Sequence, residues 1–216
     1  QRLFKDAQLH IGRFNGFGIS LDTLAVGVTR EAATWMVSLD SPQLKGQVGV
    51  PDGGKAPIAL ALDYLRLPAA APKAAVEPVV DAPDALAAVD PSSFPALDVR
   101  ISEVFQGVEP LGSWSLKARP VSAGVRFSEL DLNLKGLKIA GQASWQHTAN
   151  GVRTAYKGRL GGADLADVLI AWGFAPTASS RSFHLDVDGD WPGSPAWFGL
   201  KRFSGSLDAS LRKGQF

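Results

Sequence analysis

Between residues 97 and 160, apolar side chains recur at every second position in five successive runs. Leu97, Val99 and Ile101 alternate with Asp98, Arg100 and Ser102. Trp114, Leu116 and Ala118 alternate with Ser115, Lys117 and Arg119. Val125 and Phe127 lead on to Leu130, Leu132 and Leu134, with a change of phase near Glu129. Leu137, Ile139, Gly141, Ala143 and Trp145 alternate with Lys138, Ala140, Gln142, Ser144 and Gln146. Val152, Tyr156 and Leu160 alternate with Arg153, Lys157 and Arg159. A strand turns successive side chains to opposite faces, so each run predicts a strand with one apolar and one polar face. Turn residues separate the runs: Gly107 with Pro110, the stretch 120–124, Gly136, and Asn150-Gly151. Short connections join antiparallel neighbours. The pattern predicts a mainly β chain, a long antiparallel sheet with one apolar face. The phase changes near Glu103 and Glu129 predict bulges, which twist and bend strands.

The first 67 residues repeat this character. Apolar positions cluster at Leu3, Ala7, Leu9 and Ile11, over 19–28, 35–39 and 44–50, and at Ile58, Leu60, Leu62, Tyr64 and Leu65. Leu44-Lys45-Gly46-Gln47-Val48 echoes Ile139-Ala140-Gly141-Gln142-Ala143. Gly12 to Gly18 is followed by strand-like residues rather than a helix, which predicts a bend or bulge and not a phosphate loop. Residues 68–95 are rich in Ala and Pro, and predict a linker crossing the surface, with a short turn over 84–89. The expected organisation is a β segment over 1–67, a linker over 68–95, and a second β segment over 96–216. The second carries one short helix over 164–172, with Asp164 as N-cap and Leu165, Val168, Leu169 and Trp172 along one stripe. That helix is apolar on most sides, which predicts cover on more than one side. Strands follow over 183–191 and 205–213.

Composition narrows the function classes. Lys and Arg total 22 against 21 Asp and Glu, so no basic surface for nucleic acid is expected. Cysteine is absent, which excludes disulfides and thiolate metal sites. No run approaches the roughly 18 apolar residues of a membrane-spanning helix. The chain opens on Gln1 and closes within a strand-like pattern, and is read as a segment of a longer protein.

One cluster has the residue types for chemistry. His184, Asp186, Asp188 and Asp190 share one face of a strand, about 6.6 Å apart in succession. They could hold a divalent ion or act as paired carboxylates. They lack the glycine and terminal glutamate of a calcium loop, and alternation alone gives the same pattern on a solvated face. No metal or other cofactor is expected. His10 and His147 stand alone, and no nucleophile–base motif is present. The six tryptophans could stack on sugars or fill a core.

Asp190-Trp191-Pro192-Gly193-Ser194-Pro195, followed by a strand ending Leu211-Arg212-Lys213-Gly214-Gln215-Phe216, resembles the C-terminal part of the YhdP proteins. These are members of the AsmA-like family of Gram-negative bacteria. Asp90-Pro91-Ser92-Ser93-Phe94-Pro95, with Leu111-Gly112 and Ala118-Arg119-Pro120 beyond it, resembles the same family. The likeness extends loosely through Ser41-Pro42-Gln43-Leu44 to the N-terminus. It implies a periplasmic protein anchored in the inner membrane by a helix outside this segment. It also implies a bridge-like lipid transporter whose sheet curls into a groove, passing phospholipid between the inner and outer membranes.

On that reading acyl chains slide over Trp114, Leu116, Val125, Phe127, Leu132, Leu134, Leu137, Ile139, Trp145, Leu185, Val187, Leu207 and Leu211. Lys117, Arg126, Asn133, Lys138 and Asp186 face water. Phospholipid and the two membranes are the expected partners; protein partners are not indicated. The alternative is a carbohydrate- or protein-binding β-sandwich of a cell-envelope protein, with a closed core. An enzyme is the third reading.

Overall fold

The computed structural model describes residues 6–16, 19–54, 56–69, 83–171, 175 and 180–212. The strands are β1 (Asp6–Gly16), β2 (Ile19–Glu31), β3 (Thr34–Asp40), β4 (Leu44–Pro51), β5 (Ile58–Leu67) and β6 (Leu97–Gln106), then β7 (Glu109–Val121), β8 (Gly124–Leu134), β9 (Leu137–Thr148) and β10 (Gly151–Gly162). A helix α1 (Leu165–Ala171) precedes β11 (Ser182–Pro192) and β12 (Ser204–Arg212). The strands join in one open sheet whose order follows the sequence. The chain is mainly β, as its alternation predicts.

One pair departs from the antiparallel meander. β5 and β6 run parallel, Ile58 opposite Leu97 and Leu67 opposite Gln106. Parallel neighbours need a long crossover, and residues 68–96 supply it. The Ala- and Pro-rich stretch is therefore a connection within one sheet.

The chain forms two compact units, Gln1–Ala70 with Pro95–Ser115, and Ala71–Phe94 with Leu116–Phe216. Strand β7 contributes to both.

The core of the first unit is Leu21, Leu24, Leu44, Leu62, Leu65, Ile101 and Val104. Three of its pairs, 21 with 24, 62 with 65 and 101 with 104, are three residues apart. Strict alternation would turn the members of each pair to opposite faces. An irregularity in each strand restores them to one face. On β2, Thr23 sits at φ 52, and the ladder with β1 passes from Ile11–Leu24 to Arg13–Asp22 without pairing Gly12. The register of β1 with β2 is the same on both sides of Gly12, and of the stretch expected to bend, Phe17 and Gly18 lie outside the described residues. The β4–β5 register shifts between Lys45 and Gly46, leaving Asp63 as the extra residue of β5. β6 follows β5 in register, Leu62 opposite Ile101 and Tyr64 opposite Glu103. The phase change near Glu103 is thus matched by its neighbour rather than being a separate bulge.

In the second unit, the register of β8 and β9 shifts between Phe127 and Leu130, with Glu129 at φ 50, as the phase change there predicts. Helix α1 starts where expected: the Ala166 N–H donates to Asp164 Oδ1 at 2.9 Å. Trp172 lies outside the described residues. The expectation of cover on several sides is not met within Leu165–Ala171, where Val168 alone is buried and Ile170 is 57% exposed. Val168 packs beside the Gly136 turn.

The echoed pentapeptides are structural equivalents. Gly46 and Gly141 adopt φ 150 and 147. A Cβ on Gly46 would lie 2.3 Å from the Ala61 carbonyl oxygen and 2.6 Å from Leu62 Cα. A Cβ on Gly141 would lie 2.4 Å from the Lys157 carbonyl oxygen and 2.6 Å from Gly158 Cα. Each glycine lets the neighbouring strand approach closer than any side chain permits.

Candidate functional site

The register sorts the strands of the second unit into rows on one face, because directly opposed residues point the same way. Val125, Trp145, Thr154 and Trp191 form one row across β8 to β11. Phe127, Ala143 and Tyr156 follow. The next row runs Leu130, Gly141, Gly158, Val187 and Leu207. Then come Leu132, Ile139, Leu160, Leu185 and Ala209. Last are Leu134 with Leu137, and Phe183 with Leu211.

Eleven of the expected residues therefore meet on one face, and Leu116 is half-buried on β7. Trp114 belongs to the first unit, where it packs against the core. Leu130, Leu160 and Phe183 share the face but were not among the expected lining residues. The alternation of 130–134, 152–160 and 183–187 carries the signal that places them there.

Exposure varies along this face: Tyr156, Val187 and Trp191 are buried at 9%, 7% and 7%, with Leu130, Ile139, Leu160 and Leu185 packed against them. Val125, Trp145 and Thr154 are buried, at 0%, 2% and 0%. Phe127, Leu132, Leu134, Leu137, Ile139, Leu160 and Leu185 are half-buried. Leu207 and Leu211 are 51% and 36% exposed. Within this unit no second sheet lies among the described residues, so half-buried aliphatic positions run through successive rows.

The two motifs that resemble the YhdP proteins converge on the buried end. In one, Asp90 accepts from the Ser92 N–H at 2.9 Å and starts a single helical turn, Pro91–Ser93. Pro91 is buried, and the Phe94 ring meets Trp145 and Phe127 edge-on, with centroids 5.8 and 6.4 Å away. In the other, Ser194 is fully buried and donates to Asp84 from Oγ at 2.5 Å and from its backbone N–H at 2.8 Å. The Trp191 indole N–H donates to the Ser194 carbonyl at 3.0 Å, and Thr154 to that of Gly193 at 2.8 Å. Burial pushes the Asp84 carboxyl up, but the hydrogen bonds from Ser194 outweigh it and hold the group below its ordinary value.

Asp90 also faces His147, whose Nε2 lies 2.9 Å from Oδ1. That hydrogen bond, with those from Ser92, lowers the Asp90 pKa from 3.8 to about 2. A carboxyl depressed on folding contributes stability that is complete above its ordinary value and is lost as pH falls through the depressed one. The stabilisation from Asp90 is expected to hold down to about pH 3.8 and to disappear towards pH 2. An NMR titration placing the Asp90 carboxyl at its ordinary value would contradict this.

The opposite face is charged. His184, Asp186, Asp188 and Asp190 do line it, but they are not simply solvated. Arg159 holds Asp186 through two hydrogen bonds of 2.7 and 3.1 Å, Lys157 holds Asp188 at 2.7 Å, and Arg153 pairs with Asp190. Hydrogen bonds from Arg159 lower the Asp186 pKa, and those to Asp188 and Asp186 raise Lys157 and Arg159. Pairs this exposed contribute little to stability. They do engage the carboxylates a cation would need. Among the described residues no group of three or more His, Asp or Glu side chains is placed to hold a metal. Millimolar calcium or zinc should leave the melting temperature unchanged; a rise reversed by EDTA would refute that.

Asn133 does not fit its expected place in water. It is half-buried, and its Oδ1 is covered without a hydrogen-bond partner among the described residues. Lys138, directly opposite, is exposed. None of the five described tryptophans is exposed, and Arg30 and Arg202 lie over the rings of Trp35 and Trp197. Trp145 and Trp191 are therefore core residues, while Trp35, Trp114 and Trp197 are half-buried.

Neither the curated proteins nor the solved structures include a match to this chain. The family described as YhdP protein matches residues 2–216. With that match spanning nearly every residue, the chain belongs to the YhdP family.

Proposed function

We propose that this chain is a stretch of a bridge-like lipid-transport protein, and that the apolar face of its second unit carries phospholipid acyl chains. The observation that carries the reading is the run of half-buried aliphatic residues from Leu132 to Leu185, backed by a charged face. Apolar surface left in this state is stabilised by whatever covers it, and acyl chains match it row by row. Head groups would stay in water. Membership of the YhdP family supports the same reading. The working place is the periplasm, where an inner-membrane anchor elsewhere in the protein would let the sheet conduct lipid towards the outer membrane. The chain's part is to carry and not to catalyse.

Photo-reactive side chains placed at Leu132, Ile139 and Leu185 in the intact protein should capture phospholipid. The same groups at Lys138 and Asp186 should not, because neighbouring strand residues face opposite ways. Equal capture on both faces, or none on either, would reject the reading.

A further inference from the structure

We infer that residues 84–94 are a seal across one end of the apolar face, and that Phe94 fixes where a bound acyl chain stops. The inference rests on the lipid reading above, but its geometry stands apart from it. Strand alternation continues unbroken from Leu137 to Trp145, yet exposure falls along β9 from half-buried Ile139 to 2% at Trp145. The strands themselves give no reason for that gradient. It follows the strap laid over them.

Three points pin the strap to elements of its own unit. Asp84 is held by Ser194 in the corner after β11. Asp90 is held by His147 at the end of β9. Phe94 is seated on Phe127 of β8 and Trp145 of β9. The Phe94 ring therefore occupies the space over Trp145 and Phe127 that an acyl chain running along the face would enter next. The outer side of the strap is exposed at Ala85, Ala87, Ala88 and Val89, so it forms a single layer whose removal opens the row beneath. A phospholipid chain is then confined to the rows from Leu130 to Leu211, and the Val125–Trp145 row stays dry and empty of lipid.

Two measurements on the intact protein test this. This chain has no cysteine, so once any cysteine elsewhere in the intact protein is replaced by serine, Val125→Cys reports accessibility by maleimide labelling without any lipid present. Labelling should be slow with Phe94 in place. With Phe94→Ala it should be at least about tenfold faster, the ratio that about 1.4 kcal/mol of lost closure energy gives. Phe94→Leu should restore much of the protection. Should Phe94→Ala fail to fold, Asp90→Asn weakens the His147 contact and should accelerate labelling in the same direction. Equal labelling rates in all these backgrounds would overturn the seal.

The second measurement uses phosphatidylethanolamine vesicles containing a diazirine-tailed phosphatidylethanolamine, with adduct sites mapped by peptide mass spectrometry. Adducts should fall on Ile139 and Leu185 in both backgrounds, and reach Val125 and Trp145 only with Phe94→Ala. Adducts at Val125 with Phe94 intact would overturn the stop. Protection of Val125→Cys without adducts at Ile139 or Leu185 in either background would instead reject the lipid reading, and the acyl stop with it.

Discussion

Gly141→Ala is expected to lower the melting temperature of this chain by about 10 °C, while Gly12→Ala changes it little. The added Cβ would meet the Lys157 carbonyl oxygen at 2.4 Å and Gly158 Cα at 2.6 Å. Both are backbone atoms, so no side chain can rotate away, and strands β9 and β10 must part. The backbone at φ 147 adds strain that glycine alone escapes. Each of these two effects typically costs about 1–3 kcal/mol. At roughly 2–4 °C per kcal/mol for a chain of this size, their combination gives the stated loss. Gly46→Ala should behave alike, since its Cβ would lie 2.3 Å from the Ala61 carbonyl oxygen. Nothing lies within 4 Å of a Cβ on Gly12, which makes it the control. Thermal melts of the three variants followed by circular dichroism decide the matter. A Gly141→Ala protein that melts with the parent would show that the close approach of β9 and β10 relaxes without cost.

Those two glycines also show what a sequence of this kind discloses. Alternation identified the strands, and the broken alternation at Glu129 located a bulge, because a period of two is a local property of the chain. The resemblance of the segments around Gly46 and Gly141 was visible in the sequence. Their shared role was not, since it depends on carbonyl groups some sixteen residues further on, at Ala61 and Lys157. The parallel pairing of β5 and β6 was hidden for a related reason. The crossover composition is that of a linker, and strand direction lies in no single residue. The carboxylates of β11 read as solvated because their partners Arg153, Lys157 and Arg159 sit on another strand. The lining residues were legible as a face, but their grading was not. Val125 and Trp145 read like Ile139 along the chain. Phe94, returning from the crossover, meets Trp145 and Phe127 at the covered end, a contact no local pattern discloses.

Ile139→Asp should cut phospholipid capture at Leu132, Leu160 and Leu185 by at least about tenfold, with the protein still folded. Ile139 stands between Leu132 on β8 and Leu160 on β10, in the middle of the half-buried rows. An unpaired carboxylate there either costs about 2–3 kcal/mol beside acyl chains or takes up a proton at a raised pKa. A penalty of that size corresponds to a factor of ten or more in occupancy. Because Ile139 is only half-buried without lipid, the carboxylate can reach water in the empty protein, and the melting temperature should fall by only a few degrees. Lys138→Asp changes charge on the exposed opposite face, and should leave capture intact. Ile139→Asn, of nearly the same shape but uncharged, should retain more capture than Ile139→Asp. Acidifying the Ile139→Asp protein should move its capture towards that of the Asn variant as the carboxyl is neutralised. If Ile139→Asp and Ile139→Asn instead unfold the chain equally and acid restores nothing, this face is an ordinary closed core. The rows would then have no capacity for lipid.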